Sequence, residues 1–319
     1  MFSIAKKLAQ AGVLSLNRRN AEYTLWHNPR HLFPLVDDKL TTKSLAQQAG
    51  MAVPPLYGVI EIEHQVRELC TILKPYQDFV IKPAQGSGGD GIMVISGRHK
   101  ERYRKINGLL ITQEDLDHHV SNALSGLYSL GGHPDKVFIE YRVQFDPIFE
   151  AISFQGVPDI RIIVFLGVPV MAMVRLPTRM SDGKANLHLG AIGAGINLRT
   201  GKTLSGVWQN EIVTEHPDTE HSIRDVQVPE WDRLLTLAAR SYELTGLGYQ
   251  GVDLILDKTK GPLILELNAR PGLNIQIAND GGLLKRLQLV EQRAPSLKTV
   301  EDRITFSKQH FAPSNETCA

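Results

Sequence analysis

The chain has 319 residues, 42% of them apolar, enough for two packed lobes or one large domain. A net charge of +1 supplies no global field for nucleic acid, and no apolar run approaches the roughly 20 residues of a membrane helix. Cys70 and Cys318, its two cysteines, form neither a metal-type spacing nor a disulfide framework, so the expected setting is a reducing one, the cytoplasm.

Residues 1–36 read as a helical arm. MFSIAKKLAQAGVLSLNRRN is amphipathic and basic but lacks the apolar core and cleavage site of a secretory signal. A helix docked on the body of the protein is the expectation, with an anionic membrane surface as the alternative partner. Asp38 is placed to cap a helix from Lys39 to Ala49, and Gly50 to end it. Pro54-Pro55 breaks the chain, and a helix follows over Glu63 to Leu73.

FVIKPAQGSGGDGIMVI, residues 79–95, holds Gly86, Gly88 and Gly91 in G-x-G-x-x-G spacing. Strand-like segments flank it on both sides, so it reads as a β-hairpin with a glycine tip rather than a strand-to-helix dinucleotide turn. Such a loop can bring backbone amides to phosphate oxygens, and Lys82 stands four residues before its first glycine. An ordinary flexible hairpin tip is the plain alternative.

A helix is predicted over Gln113 to Leu130, and Gly131 to Pro134 marks a lobe boundary. Strands follow at 137–141 and 159–165, the second with a hairpin partner at Pro169 to Val174, and a helix at Pro229 to Thr245. Gly201-Lys202-Thr203 resembles the end of a P-loop, but the required first glycine falls at Ile196, so a turn is expected. The organisation is an arm (1–36), a lobe with the glycine flap (37–135), a second lobe (136–290) and a helical, polar tail (291–319).

The strongest chemical signal is GVDLILDKTKGPLILELNARPG, residues 251–272. Lys258 to Gly261 is turn material between two apolar strands, which predicts a hairpin. A turn centred between Thr259 and Lys260 sets Asp257 opposite Pro262, Ile255 opposite Ile264 and Asp253 opposite Glu266. Asn268, two residues on, shares the face of Glu266. Two carboxylates and an amide oxygen make a hard donor set of the kind Mg²⁺ takes. Exposed acids at a sheet edge are the plain alternative, and a register shifted by one residue breaks the pairing.

These features, in this order, resemble the ATP-grasp ligases: Lys39 at a helix start, Lys82 before the glycine hairpin, Phe138-Ile139-Glu140, Asp159-Ile160-Arg161, Asn186 in NLHLG, and Asp253, Glu266 and Asn268. Within that family the chain resembles RimK-related α-L-glutamate ligase-like proteins. FDPIFEAISFQGVPDIRIIV is also similar to ATP-grasp proteins linked to cell-surface sugar transfer. The likeness covers about Asp37 to Ala278.

The resemblance implies an α+β ATP-grasp fold, two lobes with antiparallel sheets clasping ATP. Lys39 and Lys82 would lie along the nucleotide, with Gln85, Gly86, Ser87, Gly88, Gly89 and Gly91 closing over its phosphates as a flap. Glu140 and the backbone of Phe138 and Ile139 would meet the adenine. Asp253, Glu266 and Asn268 would hold one or two Mg²⁺ ions, for which Mn²⁺ can substitute. A substrate carboxylate would attack the γ-phosphate, and an amine would displace phosphate from the acylphosphate. Arg161, Lys82 and Arg270 would serve the chemistry, Arg161 at the phosphoryl group or oxyanion, against the plain alternative of an ion pair with Asp159. Arg175, Lys184, Asn186 and His188 would orient a small-molecule or peptide substrate, with His188 also a candidate for proton transfer. The ribose-binding acid stays open between Glu150 and Asp146. About 36 residues precede the resembling segment, so the acid site is expected to be built differently or completed by another chain, a second copy or a partner protein. A small-molecule kinase and a non-catalytic nucleotide-binding module are the rival readings.

Overall fold

The computed structural model describes residues 2–86 and 88–312. The chain divides into two compact units, one formed by Asp38–Ser44 with Val53–Val143, the other by the remaining described residues. Each builds an antiparallel sheet with helices, so the class is α+β as expected.

The smaller unit has strands β1 (Leu56–Ile60), β2 (Phe79–Pro83), β3 (Met93–His99), β4 (Arg102–Lys105), β5 (Leu110–Ile111) and β6 (Val137–Glu140), in the order β1-β6-β2-β3-β4-β5. Strand alternation sends Phe79, Ile81, Val137 and Ile139 into a core with Ile60, Leu69, Leu73, Leu116 and Val120. Val80, Lys82, Phe138 and Glu140 therefore share the opposite face. The helix Gln113–Leu124 opens on a capping box, Thr112 with Asp115, and stops short of the expected Leu130. The glycine hairpin forms as read, with Phe79 opposite Ile95 and Ile81 opposite Met93. Gly91 adopts φ +74°, and a Cβ there would lie 2.6 Å from the Tyr128 ring, so no larger residue fits. The expected boundary at 131–134 is corrected: β6 pairs with β1 and β2, and the division falls after Val143.

The larger unit carries β7 (Asp159–Phe165), β8 (Val168–Leu176), β9 (Ile192–Ile196), β10 (Thr203–Trp208), β11 (Glu211–Val213), β12 (Tyr249–Asp257) and β13 (Gly261–Asn268). Their order is β11-β10-β9-β8-β7-β12-β13. The P-loop-like segment is the turn from β9 to β10, closed by Asn197 N–H to Lys202 O at 2.9 Å. The arm and the tail are parts of this unit rather than appendages: Leu14, Tyr23 and Val36 are buried, as are Phe306 and Ser307 of the helix Val300–His310.

The β12–β13 hairpin follows a tighter register at its turn than expected. Asp257 faces Gly261 and Ile255 faces Leu263, not Pro262 and Ile264. A bulge then adds one residue, Leu265, to β13 between the Leu254–Ile264 and Asp253–Glu266 pairs. That extra residue brings Glu266 opposite Asp253, the pairing the sequence predicts.

Candidate active site

In the smaller unit, β2 and β6 lie side by side and set Lys82 and Glu140 on one face. Glu140 is 2% exposed. One of its oxygens takes Lys82 Nζ at 2.5 Å, the other Lys43 Nζ at 2.7 Å. Burial works to raise the Glu140 carboxyl, but Lys82 and Lys43 together hold it below its ordinary value. The resemblance implies that Glu140 and its neighbours meet the adenine; the structure shows what those groups already touch. The carboxylate is committed to two lysines, and Phe138, Ile139 and Glu140 run mid-sheet between β1 and β2, where their backbone groups serve the ladder.

Lys43 is the residue sequence reasoning missed here, although it lies one helical turn after Lys39. Lys39 itself donates through Nζ to the Gly86 carbonyl, which ties the helix Lys39–Gln48 to the root of the glycine loop. Asp135, buried and also missed, accepts from Gln85 N–H at 2.9 Å and Ser129 Oγ at 2.7 Å. At the far end His119 Nε2 meets Gly91 O at 2.9 Å. The loop is thus pinned at Gln85 and Gly91, while Gly88 and Gly89 between them have open space around Cα. Ser87 lies outside the described residues.

One pH dependence follows from Glu140. Its folded-state pKa is depressed, so its contribution to stability is present above the ordinary value of 4.5 and is lost as pH falls through the folded value. Chemical denaturation between pH 3 and 7 is expected to show a falling acid limb below 4.5. That limb should be shallower in Glu140→Gln; an identical slope in both proteins would refute the assignment.

In the larger unit, four adjacent strands build a charged patch on one sheet face. Arg161 of β7 lies opposite Asp253 of β12, which lies opposite Glu266 of β13, while Asp159 faces Arg175 of β8. Arg161 grips Asp253 with both Nε (2.7 Å) and Nη2 (2.6 Å). Arg175 makes the same two-toothed contact with Asp159 and adds Nη2 to Asp253 Oδ2 at 2.9 Å. The plain alternative for Arg161, an ion pair with Asp159, is corrected: Asp159 belongs to Arg175. Burial raises the Asp253 carboxyl, but Arg161 and Arg175 outweigh it and hold Asp253 well below the usual carboxylate range. For Asp159 burial prevails, with the nearby Asp253 charge adding to it, and its carboxyl is pushed up.

Glu266 has no hydrogen-bond or ion-pair partner among the described residues and is half-buried opposite Asp253. Asn268 brings its amide to 3.5 Å from Asp253 Oδ2. Two guanidiniums balance two of the three carboxylates, which leaves the Glu266 charge uncompensated. No group of three His, Cys, Asp or Glu converges among the described residues, so a cation site here rests on two acids and one amide. Hard oxygen donors with one free carboxylate fit Mg²⁺ when substrate oxygens and water complete its shell. Arg161 and Arg175 each use Nε and Nη2 in these contacts and keep Nη1 free of any described partner.

The arm frames this patch, which the sequence did not signal. Asn28 donates to the carbonyls of Tyr249 (2.6 Å) and Ala269 (3.0 Å) and accepts from Tyr249 N–H at 2.8 Å. Arg19, buried, donates to Pro271 O at 2.8 Å. The entry to β12 and the exit from β13 are thereby held on either side of the facing Gly251 and Asn268.

The remaining expected residues do not join the patch through any described contact. Arg270 is exposed, with its guanidinium 5.0 Å above the Phe33 ring. Lys184 and His188 are exposed, and Asn186 caps the turn Leu187–Leu189 by accepting from His188 N–H at 2.9 Å. Their loop is anchored by Thr178 Oγ1 and Trp208 Nε1, both donating to Gly190 O. Asp146 likewise caps the next turn through Ile148 N–H at 3.0 Å, and Glu150 is exposed.

Known proteins give a context for this geometry. The sequence pattern of the family described as sugar-transfer associated ATP-grasp matches residues 18–292. A probable alpha-L-glutamate ligase of Xanthomonas euvesicatoria pv. vesicatoria is 27% identical over 77% of the chain, and the chain spans about three-fifths of that relative, 61%. One of Xanthomonas oryzae pv. oryzae is 25% identical over 85% of the chain and 69% of its own length. Among solved structures, D-cycloserine synthetase is similar with a TM-score of 0.49 and 18% identity, over 83% of the chain and 73% of that protein. No helix among the described residues is long and apolar enough to cross a membrane.

Proposed function

We propose, because the chain belongs to the sugar-transfer associated ATP-grasp family, that it is an ATP- and Mg²⁺-dependent ligase joining a carboxylate to an amine. The observation that carries this reading is the unpaired Glu266 carboxylate facing an Asp253 already held ionised by two arginines. Lys39 and Lys82, with the amides of the loop from Gln85 to Gly91, would bind the phosphates. Asp253, Glu266 and Asn268 would hold Mg²⁺, which when bound neutralises charge on the β- and γ-phosphate oxygens. The substrate carboxylate oxygen attacks the γ-phosphorus and the bond to ADP breaks. The amine nitrogen then attacks the acyl carbon, phosphate departs, and the amine loses a proton. Arg161 and Arg175 would direct their free Nη1 donors at the transferring phosphoryl group or the acyl oxyanion. Lys184, Asn186 and His188 would orient the substrate. The glutamate ligase names of the curated relatives make glutamate the first amine or acid to try, in the cytoplasm where ATP is supplied.

The test is ADP release across a panel of amino acids and short peptides, with mass spectrometry of the product. A ligase releases ADP in an amine-dependent way and gives a product lighter by water than its two substrates combined. ADP release that needs an acceptor but no amine, with a stable phosphorylated product, would replace this reading by a kinase. No ADP under any condition would leave a nucleotide-binding module.

A further inference from the structure

The arm exposes apolar surface that neither the core nor the candidate site uses. One helical run from Leu16 to His27 has a π-turn, Arg19–Thr24, between two α turns. Its wider winding stacks side chains every four to five residues. Arg19, Tyr23, Thr24 and Asn28 point inward and are buried. Leu16, Ala21 and Leu25 fall on the outer side, with Trp26 beside them. Trp26 is 78% exposed and Leu25 65%, while Leu16 and Leu8 are also exposed. The inner contacts of Arg19 and Asn28 fix this run to the larger unit, so the outward side chains belong to a held surface.

Within the arm itself the charge is mainly positive, although Glu291 of the larger unit reaches His27 at 3.5 Å. Lys6, Lys7 and Arg30 are exposed, and the single acid before Asp37, Glu22, is paired with Arg18 at 2.6 Å. The whole chain is nearly neutral at +1, so this local excess is a property of the arm. A few apolar side chains with an exposed tryptophan, on an arm that also carries exposed lysine and arginine, suit shallow entry into a lipid headgroup layer. A stable protein interface usually engages about 20–30 residues a side, far more than this patch presents.

We propose that this outer side of the arm docks the protein on an anionic membrane surface, with Leu25 and Trp26 in the interface and Lys6, Lys7 and Arg30 over acidic headgroups. The test uses the full chain and vesicles of phosphatidylcholine with and without about 30% phosphatidylserine. Co-sedimentation is expected with the anionic vesicles, roughly tenfold weaker at high salt, together with a blue shift of tryptophan emission. Leu25→Ser with Trp26→Ala should lower the partition coefficient by about tenfold and remove the shift. Lys6→Glu with Lys7→Glu should weaken binding to anionic vesicles while thermal unfolding stays unchanged. Equal sedimentation of the wild type and both variants would overturn the proposal. So would absence of vesicle binding with a concentration-dependent dimer that Trp26→Ala dissolves, which would assign the face to a second copy. None of these readouts needs ATP, so failure of the ligase reading leaves this test intact.

Discussion

Glu266→Gln is expected to leave the protein folded and to lower ADP formation by roughly 10²–10³-fold. The replacement has the same shape, and the wild-type carboxylate has no partner among the described residues whose loss would expose a buried group. Its charge also repels Asp253 across the strand pair, so removing it should hold or slightly raise the melting temperature. What it removes is the one uncompensated negative charge of the patch. The apparent Mg²⁺ requirement should therefore rise as the rate falls. Turnover close to wild type would sink the assigned metal site, whereas a large drop in melting temperature would recast Glu266 as structural.

Arg175→Ala is expected to give the largest loss of stability. Arg175 serves Asp159 and Asp253 together, and both acids are buried. Its removal leaves Asp159 without its partner and Asp253 with Arg161 alone, an uncompensated buried charge of the kind that costs about 3–5 kcal/mol. Thermal unfolding should move down by roughly 6–12 °C. Arg175→Lys should recover part of this, because an ammonium can reach one acid but cannot grip two in a fixed plane. A melting temperature within a degree or two of wild type for Arg175→Ala would show that the network contributes little.

Much of this architecture is legible from alternation and turn chemistry. Asp38 does start a helix, its Oδ1 accepting from Thr41 N–H, and Thr112 and the Lys258–Gly261 turn also act locally as their residue types predict. Strand β9 escaped because IGAGI has little β-branched or aromatic character; tertiary pairing, not propensity, makes it a strand. The lobe boundary was misplaced because Gly131 to Pro134 punctuates the chain without ending the sheet. In the candidate site, Asp253 and Glu266 were readable from their interruption of apolar strands. The partner choices were not: Arg161 has an acid two residues away and another 92 residues away, and only the strand register decides for the distant one. The grip of Asn28 on Tyr249 and Ala269 spans more than 200 residues and has no local signature.

The extra residue in β13 makes that strand a reading frame. Leu265 lets the two sides of the hairpin count differently between the turn and the acids. Were the bulge straightened with every residue kept, Leu265 would face Asp253 and Glu266 would turn to the other side of the sheet; deleting Leu265 instead lets Glu266 follow Ile264 directly and still meet Asp253. Lengthening or shortening the Lys258–Lys260 turn, by contrast, changes nothing beyond the loop so long as Asp257 still meets Gly261. The hairpin tip can therefore vary in length, whereas a residue inserted between Ile264 and Glu266 that the bulge does not absorb would turn Glu266 away from Asp253.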